Sequence, residues 1–168
     1  MPYQKNKMLR LTEKAARLPS GLRNFVLSRL FGRLVPFIGT SGVSFESIGQ
    51  ERLVVSIRNQ RKVQNHIKGV HAAAMALLAE TATGFIMGLN VPDDKLLLLK
   101  SMKIDYLQRA QGALCATASL QPDQIEILQR EDKGAFSVPV SVTDESGQAP
   151  IACEMVWAWI PKKDTRKM

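Results

Sequence analysis

N-H-I-K-G-V-H-A-A-A-M-A-L-L-A-E-T-A-T-G, residues 65–84, is the stretch from which the rest of the chain is read. From Val70 to Met87 nearly every residue is apolar or small. A helix that packs on one side carries one apolar stripe, whereas a helix apolar all round is buried all round. Gly88 and L-N-V-P-D-D at 89–94 close the pattern, so the sequence predicts a helix over about residues 70–88. One carboxylate, Glu80, interrupts it, and Asn65, His66 and His71 cluster just before it. An ionised carboxylate in such a place is costly unless it finds a partner, meets water or is driven neutral.

The segments around this helix have a different period. V-S-F-E-S-I and R-L-V-V-S-I-R, split by Gly49-Gln50, alternate with period two and read as a strand hairpin. Further strand-like runs follow the helix at about 95–108, 112–121, 135–144 and 150–160, with turn residues between them. Residues 123–130 fit either a short helix or a strand. The order is helix, hairpin, one long apolar helix and then several antiparallel strands, an α+β layout. A sheet wrapped around one helix would explain why that helix is apolar on every side.

Upstream, residues 11–35 mix apolar and basic residues at helical spacing, broken at Pro19-Ser20-Gly21. Leu22, Phe25, Val26, Leu30 and Leu34 share one face, with Arg23 and Arg33 read as lying off it. Pro36 is expected to end this helix, and G-T-S-G at 39–42 to form a loop. A basic amphipathic helix fits two roles: contact with a membrane surface or anionic ligand through residues 1–35, or packing on the body with its arginines solvated.

The net charge of +8 is concentrated at the ends. Residues 1–35 carry +7 and residues 161–168 carry +3, which leaves the remainder near −2. This is a near-neutral body with two basic ends, unlike a uniformly basic nucleic-acid fold. Aromatic residues are few, at 6%, and do not interleave with the basic runs, so no nucleic-acid partner is expected. With 168 residues, 45% of them apolar and 23% charged, the chain is expected to form one soluble domain. No uninterrupted apolar run reaches membrane-spanning length and no secretory leader pattern opens the chain, so a cytoplasmic location is expected. Cys115 and Cys153 are widely separated and read as reduced thiols. No metal site is expected from two histidines and two separated cysteines. Phosphate-loop, nucleophile-elbow and zinc-protease motifs are absent from the sequence.

The spacing N-x5-H-A-x7-E, made by Asn65, His71, Ala72 and Glu80, resembles the N-x5-H-G-x7-D/E pattern of hotdog-fold acyl-CoA thioesterases of the PaaI-like group. The chain most resembles the DUF4442 group of that superfamily, whose members share the basic N-terminal helix and this type of helix start. The resemblance covers roughly residues 40–160 and implies a hotdog fold: an antiparallel sheet around one long helix, here with an extra N-terminal helix. The expected organisation is an extension over 1–38, the hotdog domain over 39–161 and a basic tail over 162–168.

The resemblance also implies a homodimer, with a tetramer as a further assembly, and an acyl-CoA substrate whose coenzyme A is the only cofactor involved. It implies Glu80 as general base or nucleophile, the Ala72 N–H as oxyanion donor, and Asn65 and His71 as positioning groups. A free N–H at a helix start, reinforced by the helix dipole, suits an oxyanion. Other readings remain: Glu80 as a buried structural carboxylate paired with a cation, Asn65 as a loop amide capping its own turn, and His71 as a helix-start residue bonded to backbone. His66 reads as a solvated loop residue.

K-I-D-Y-L-Q-R-A-Q-G at 103–112 resembles the family's strand end and marks Tyr106 and Arg109 as candidate substrate contacts. The Arg109 guanidinium suits coenzyme A phosphates, or it is a solvated strand-end charge. Two departures stand out. Ala72 replaces the usual Gly, which keeps the N–H but adds a methyl. Leu98 or Leu99 stands where relatives often place a Ser or Thr helper, unless Ser101 supplies it from a shifted register. A non-catalytic acyl-CoA or lipid-binding protein is the alternative function.

Overall fold

The computed structural model describes residues 4–162, so most of the basic tail expected at 162–168 lies outside the described residues. Three N-terminal helices come first: α1 (Lys7–Ala15), α2 (Ser20–Leu34) and α3 (Pro36–Ser41). The hairpin β1 (Val43–Ile48) and β2 (Arg52–Ile57) leads through a loop to the central helix α4 (Ala72–Asn90). Then follow β3 (Lys95–Tyr106), β4 (Leu114–Ser119), α5 (Pro122–Arg130), β5 (Gly134–Val138), β6 (Val140–Asp144) and β7 (Ile151–Pro161). The strands form two antiparallel sheets, ordered β1-β2-β4-β6 and β3-β7-β5.

The sheets curl around α4, as the all-round apolar pattern predicts. Leu78, Ala79, Ala82, Ile86 and Met87 have no exposed surface. By length and composition α4 could cross a membrane, but here most of it is buried inside the protein. Phe31 of α2, Phe45 of β1 and Phe85 of α4 form a three-ring cluster with centroids 4.7–4.9 Å apart. The N-terminal helices therefore join the central core. Asn6 caps α1 by accepting from the Leu9 N–H, and its amide donates to the Gly88 and Val91 carbonyls at the end of α4.

Three expectations are corrected. Pro36 does not end helical structure: it opens α3 at a first-turn position, where a missing N–H costs nothing. Residues 39–41 therefore lie in that helix, and the expected boundary at 38/39 falls inside it. The chain can turn this sharply because α2 and α3 meet at two glycines. A Cβ on Gly39 would sit 2.5 Å from the Gly32 carbonyl oxygen. The run 135–144 is two strands in different sheets, divided at Pro139, which has no N–H to continue a ladder. Of the two readings open for 123–130 the helix is the one found: Pro122–Arg130 is helical, opened by Pro122, with the Gln124 side chain accepting from the Gln121 N–H at 2.9 Å.

The third correction concerns α2. Its buried residues are Leu27 and Phe31, while Leu22, Phe25, Val26 and Leu34 are exposed. At 3.6 residues per turn, Arg29 and Arg33 fall among those apolar residues rather than off their face. The apolar stripe visible in the sequence is the outward one.

Candidate active site at the central helix

The turn before α4 positions the first group of predicted residues. Its ends are tied by the His71 N–H donating to the Val63 carbonyl at 2.8 Å and the Asn65 N–H donating to the Gly69 carbonyl at 2.9 Å. The Asn65 side-chain oxygen accepts from the Ile67 and Gly69 N–H groups at 3.1 and 3.0 Å, which fixes the turn. His71 is the N-cap of α4: its backbone is extended and its Nδ1 accepts from the Ala73 N–H at 3.0 Å. That bond commits Nδ1 as an acceptor. His66 is exposed on the same turn.

The caps leave one donor over. The Ala74 and Met75 N–H groups both donate to the His71 carbonyl, at 2.8 and 3.1 Å. With Ala73 held by the imidazole, the Ala72 N–H is the first-turn donor that no described residue accepts. Ala72 is half-buried at the positive end of α4. The end of β3 closes over it. The Tyr106 hydroxyl donates to the Ala72 carbonyl at 3.1 Å, and the Arg109 guanidinium donates to the Ile67 carbonyl at 2.9 Å. The fold thus gathers Asn65, His71, Ala72, Tyr106 and Arg109 at one end of α4.

Glu80 does not join them. It lies eight residues further along, a rise of about 12 Å on a helix. There it lines a mostly apolar cavity of about 290 Å³, with Phe31, Leu34, Val35, Leu97, Phe85 and Trp157 among its walls. Burial pushes the Glu80 carboxyl above its ordinary pKa. Among the described residues no Lys, Arg or His pairs with it. A half-buried carboxyl without a cation binds its proton more tightly than a solvated one, and as an anion it is a stronger base.

Several cavity residues carry no mark in the spacing pattern. Gly84, one turn after Glu80, lets Trp157 lie against the helix, since a Cβ there would be 2.7 Å from the indole ring. The Trp157 Nε1–H donates to the Thr83 hydroxyl at 2.9 Å, which fixes the ring. The alternation of W-A-W at 157–159 is a period-two signal that places both tryptophans inward, and both are buried. The elbow residues Leu34 and Val35 come from the N-terminal helices, so the extension forms part of the cavity wall. On β3 the cavity residue is Leu97, while Leu98 and Ser101 are exposed and Leu99 is only half-buried. The β3–β7 register shifts between Leu99 and Ser101.

Comparison with other proteins agrees with this architecture. Residues 23–160 match the family described as a domain of unknown function, DUF4442. No curated protein matches the chain. Among solved structures, a Pseudomonas aeruginosa protein of unknown function, named a probable thioesterase, superposes with a TM-score of 0.75 at 21% identity, covering 86% of this chain and 97% of that one. A Haemophilus influenzae thioesterase gives a TM-score of 0.60 at 12% identity, covering 74% of this chain and 82% of that one. A thioesterase family protein from Silicibacter pomeroyi gives 0.63 at 13% identity, covering 80% and 96%. These likenesses are of fold. With a long helix wrapped by antiparallel sheets and the family match running from α2 to β7, the chain belongs to the DUF4442 family and has the hotdog fold.

Proposed function

We propose that the protein is an acyl-CoA thioesterase in which Glu80 acts as general base or nucleophile and the Ala72 N–H binds the oxyanion. The observation that carries this reading is Glu80 itself, an uncompensated, half-buried carboxyl in the wall of an apolar cavity of about 290 Å³. In the base route Glu80 takes a proton from a water, and the oxygen of that water adds to the thioester carbonyl. The negative charge that develops on the carbonyl oxygen falls on the Ala72 N–H. Collapse of the tetrahedral intermediate then breaks the carbon–sulfur bond and releases the coenzyme A thiolate. No cofactor is required beyond the coenzyme A that the substrate brings, and the apolar walls suit an acyl or aryl tail. Arg109 and Tyr106, beside the helix start, are the proposed contacts for the polar part of the substrate.

One copy of α4 keeps its oxyanion donor and its carboxyl about 12 Å apart, too far to act on one carbonyl. Two copies related by a two-fold axis can set the start of one α4 opposite the middle of the other. A homodimer with shared sites, or a tetramer built from two such dimers, is therefore part of the proposal. The unpaired edge of β3 supports it. That strand is twelve residues long, pairs only with β7 among the described residues, and leaves Leu96, Leu98 and Met102 exposed. The two free thiols fit a reducing, cytoplasmic setting.

The second reading is a protein that binds acyl-CoA or lipid without turning it over. It is favoured by the prior engagement of Asn65 Oδ1 and His71 Nδ1, and by Leu97 where a hydroxyl helper would face the cavity. Thiol release from a panel of acyl-CoAs decides between them. The wild-type protein is expected to release thiol, and Glu80→Gln to lose on the order of 10²–10⁴ in turnover. Equal turnover in the two proteins would sink the role of Glu80, while binding without turnover in the wild type would establish the second reading.

A further inference from the structure

A second cleft, of about 490 Å³, shares no lining residue with the Glu80 cavity. Arg29 and Arg33 reach it from α2, Arg58 from the end of β2 and Lys62 from the loop before α4, with Ser44 and Phe25 also in its walls. Among the described residues no acidic one lines it. None of the four cations is neutralised, because the salt bridges among the described residues all lie elsewhere. From Lys14 to Phe45 the sequence has five Lys or Arg and no Asp or Glu. Four like charges brought together without counter-ions repel one another, and the arrangement suits a ligand that brings several negative oxygens.

The surface around this cleft is apolar. Phe25 is 62% exposed, Phe37 60% and Leu34 65%, with Leu22 and Val35 also uncovered. Phe25 is shared by cleft and surface, and the Arg29 guanidinium sits over its ring at 5.6 Å. Cations interleaved with large apolar side chains on one outward helix face match the headgroup boundary of an anionic bilayer. There phosphates meet the cations while aromatic and aliphatic side chains enter the acyl edge.

We propose that the α2–α3 elbow is a docking surface for anionic membranes, with lipid phosphates held by Arg29, Arg33, Arg58 and Lys62 and with Phe25, Leu34 and Phe37 inserted beside them. Leu34 and Val35 of the same elbow also wall the Glu80 cavity. A docked protein would therefore present that cavity close to the acyl layer. The docking itself does not depend on whether Glu80 is catalytic.

The test is co-sedimentation of the full chain with phosphatidylcholine vesicles, with and without about one-third phosphatidylglycerol. Pelleting is expected with the anionic vesicles only and is expected to fall as salt rises. The charge-reversed pair Arg33→Glu with Lys62→Glu should lower partitioning more than about tenfold. The pair Phe25→Ser with Phe37→Ser should lower it without changing net charge. All four positions are exposed, and an unchanged thermal transition shows that each variant folds. Absence of pelleting, or pelleting unchanged in both pairs, overturns the proposal. So does a loss of soluble coenzyme A binding in the charge pair without vesicle binding in the wild type, which would make the cleft a nucleotide-phosphate site. Dissociation of an oligomer by the phenylalanine pair, again without vesicle binding, would assign the face to a second copy of the chain.

Discussion

At the start of α4, the His71 imidazole, the Tyr106 hydroxyl and the Arg109 guanidinium each hold a neighbouring backbone group. Two turns on, Glu80 has no cation partner among the described residues and faces an apolar space. The first region is polar, largely exposed and closely bonded. The second is half-buried and uncompensated. The difference lies in where their stabilisation comes from. A helix start satisfies its own donors by capping, so the His71 end costs the fold little and sets one N–H aside. A carboxyl in the middle of a buried helix has no such local remedy, so its charged form costs stability. A group kept under that cost is a candidate for chemistry rather than for architecture.

The contrast can be broken first at Ala72. Ala72→Pro deletes the first-turn N–H that no described residue accepts. Proline is tolerated at that position of a helix, and His71 already has the extended backbone that a following proline requires. Turnover is expected to fall on the order of 10²–10³ while the thermal transition stays near wild type. A proline variant with full activity would remove Ala72 from the oxyanion site. His71 gives a smaller effect of another kind. His71→Ala should cost about 1 kcal/mol of stability in denaturant unfolding, and His71→Asn should restore most of it, because both His and Asn offer an acceptor to the Ala73 N–H. Stability lost in both variants would mean that more than the cap is at stake.

The smallest expected effect sharpens the Glu80 side. Its carboxyl is raised above the ordinary value of 4.5 by burial, so between that value and its folded pKa the folded protein binds more protons than the unfolded one. Stability from this group is therefore fully present below about pH 4.5 and falls as pH rises through the folded pKa. Glu80→Gln removes the ionisation and should raise the melting temperature by a few degrees at most at neutral pH. The gain should vanish in acid. A destabilised Glu80→Gln at neutral pH would instead point to a partner for the carboxylate, such as a cation from a second copy.

The fold was legible in one helix and its surroundings. The apolar run from Val70 to Met87 required a wrapping sheet, and the alternation in the later segments supplied its strands. Helical periodicity in α2 was legible too, but not which side faces inward. Leu27 and Phe31 are too few to form an obvious stripe, and they are buried because the Phe45 and Phe85 rings meet Phe31 there. Pro139 gave no sign that its two flanking strands belong to different sheets. The residues at the start of α4 were findable because capping and spacing are local. The walls around Glu80 were not, since Leu34, Leu97 and Trp157 come from segments remote in sequence.

By itself, then, the sequence determined the central helix, its polar start and the one carboxylate that breaks its apolar run, because helix period, capping and burial preference act over a few neighbouring residues. Only the tertiary structure decided that Glu80 stands apart from the helix start, that the N-terminal elbow walls its cavity, and that four cations converge on a cleft of their own. Those outcomes depend on which distant surfaces pack together, and long-range packing leaves no periodic trace in any single segment.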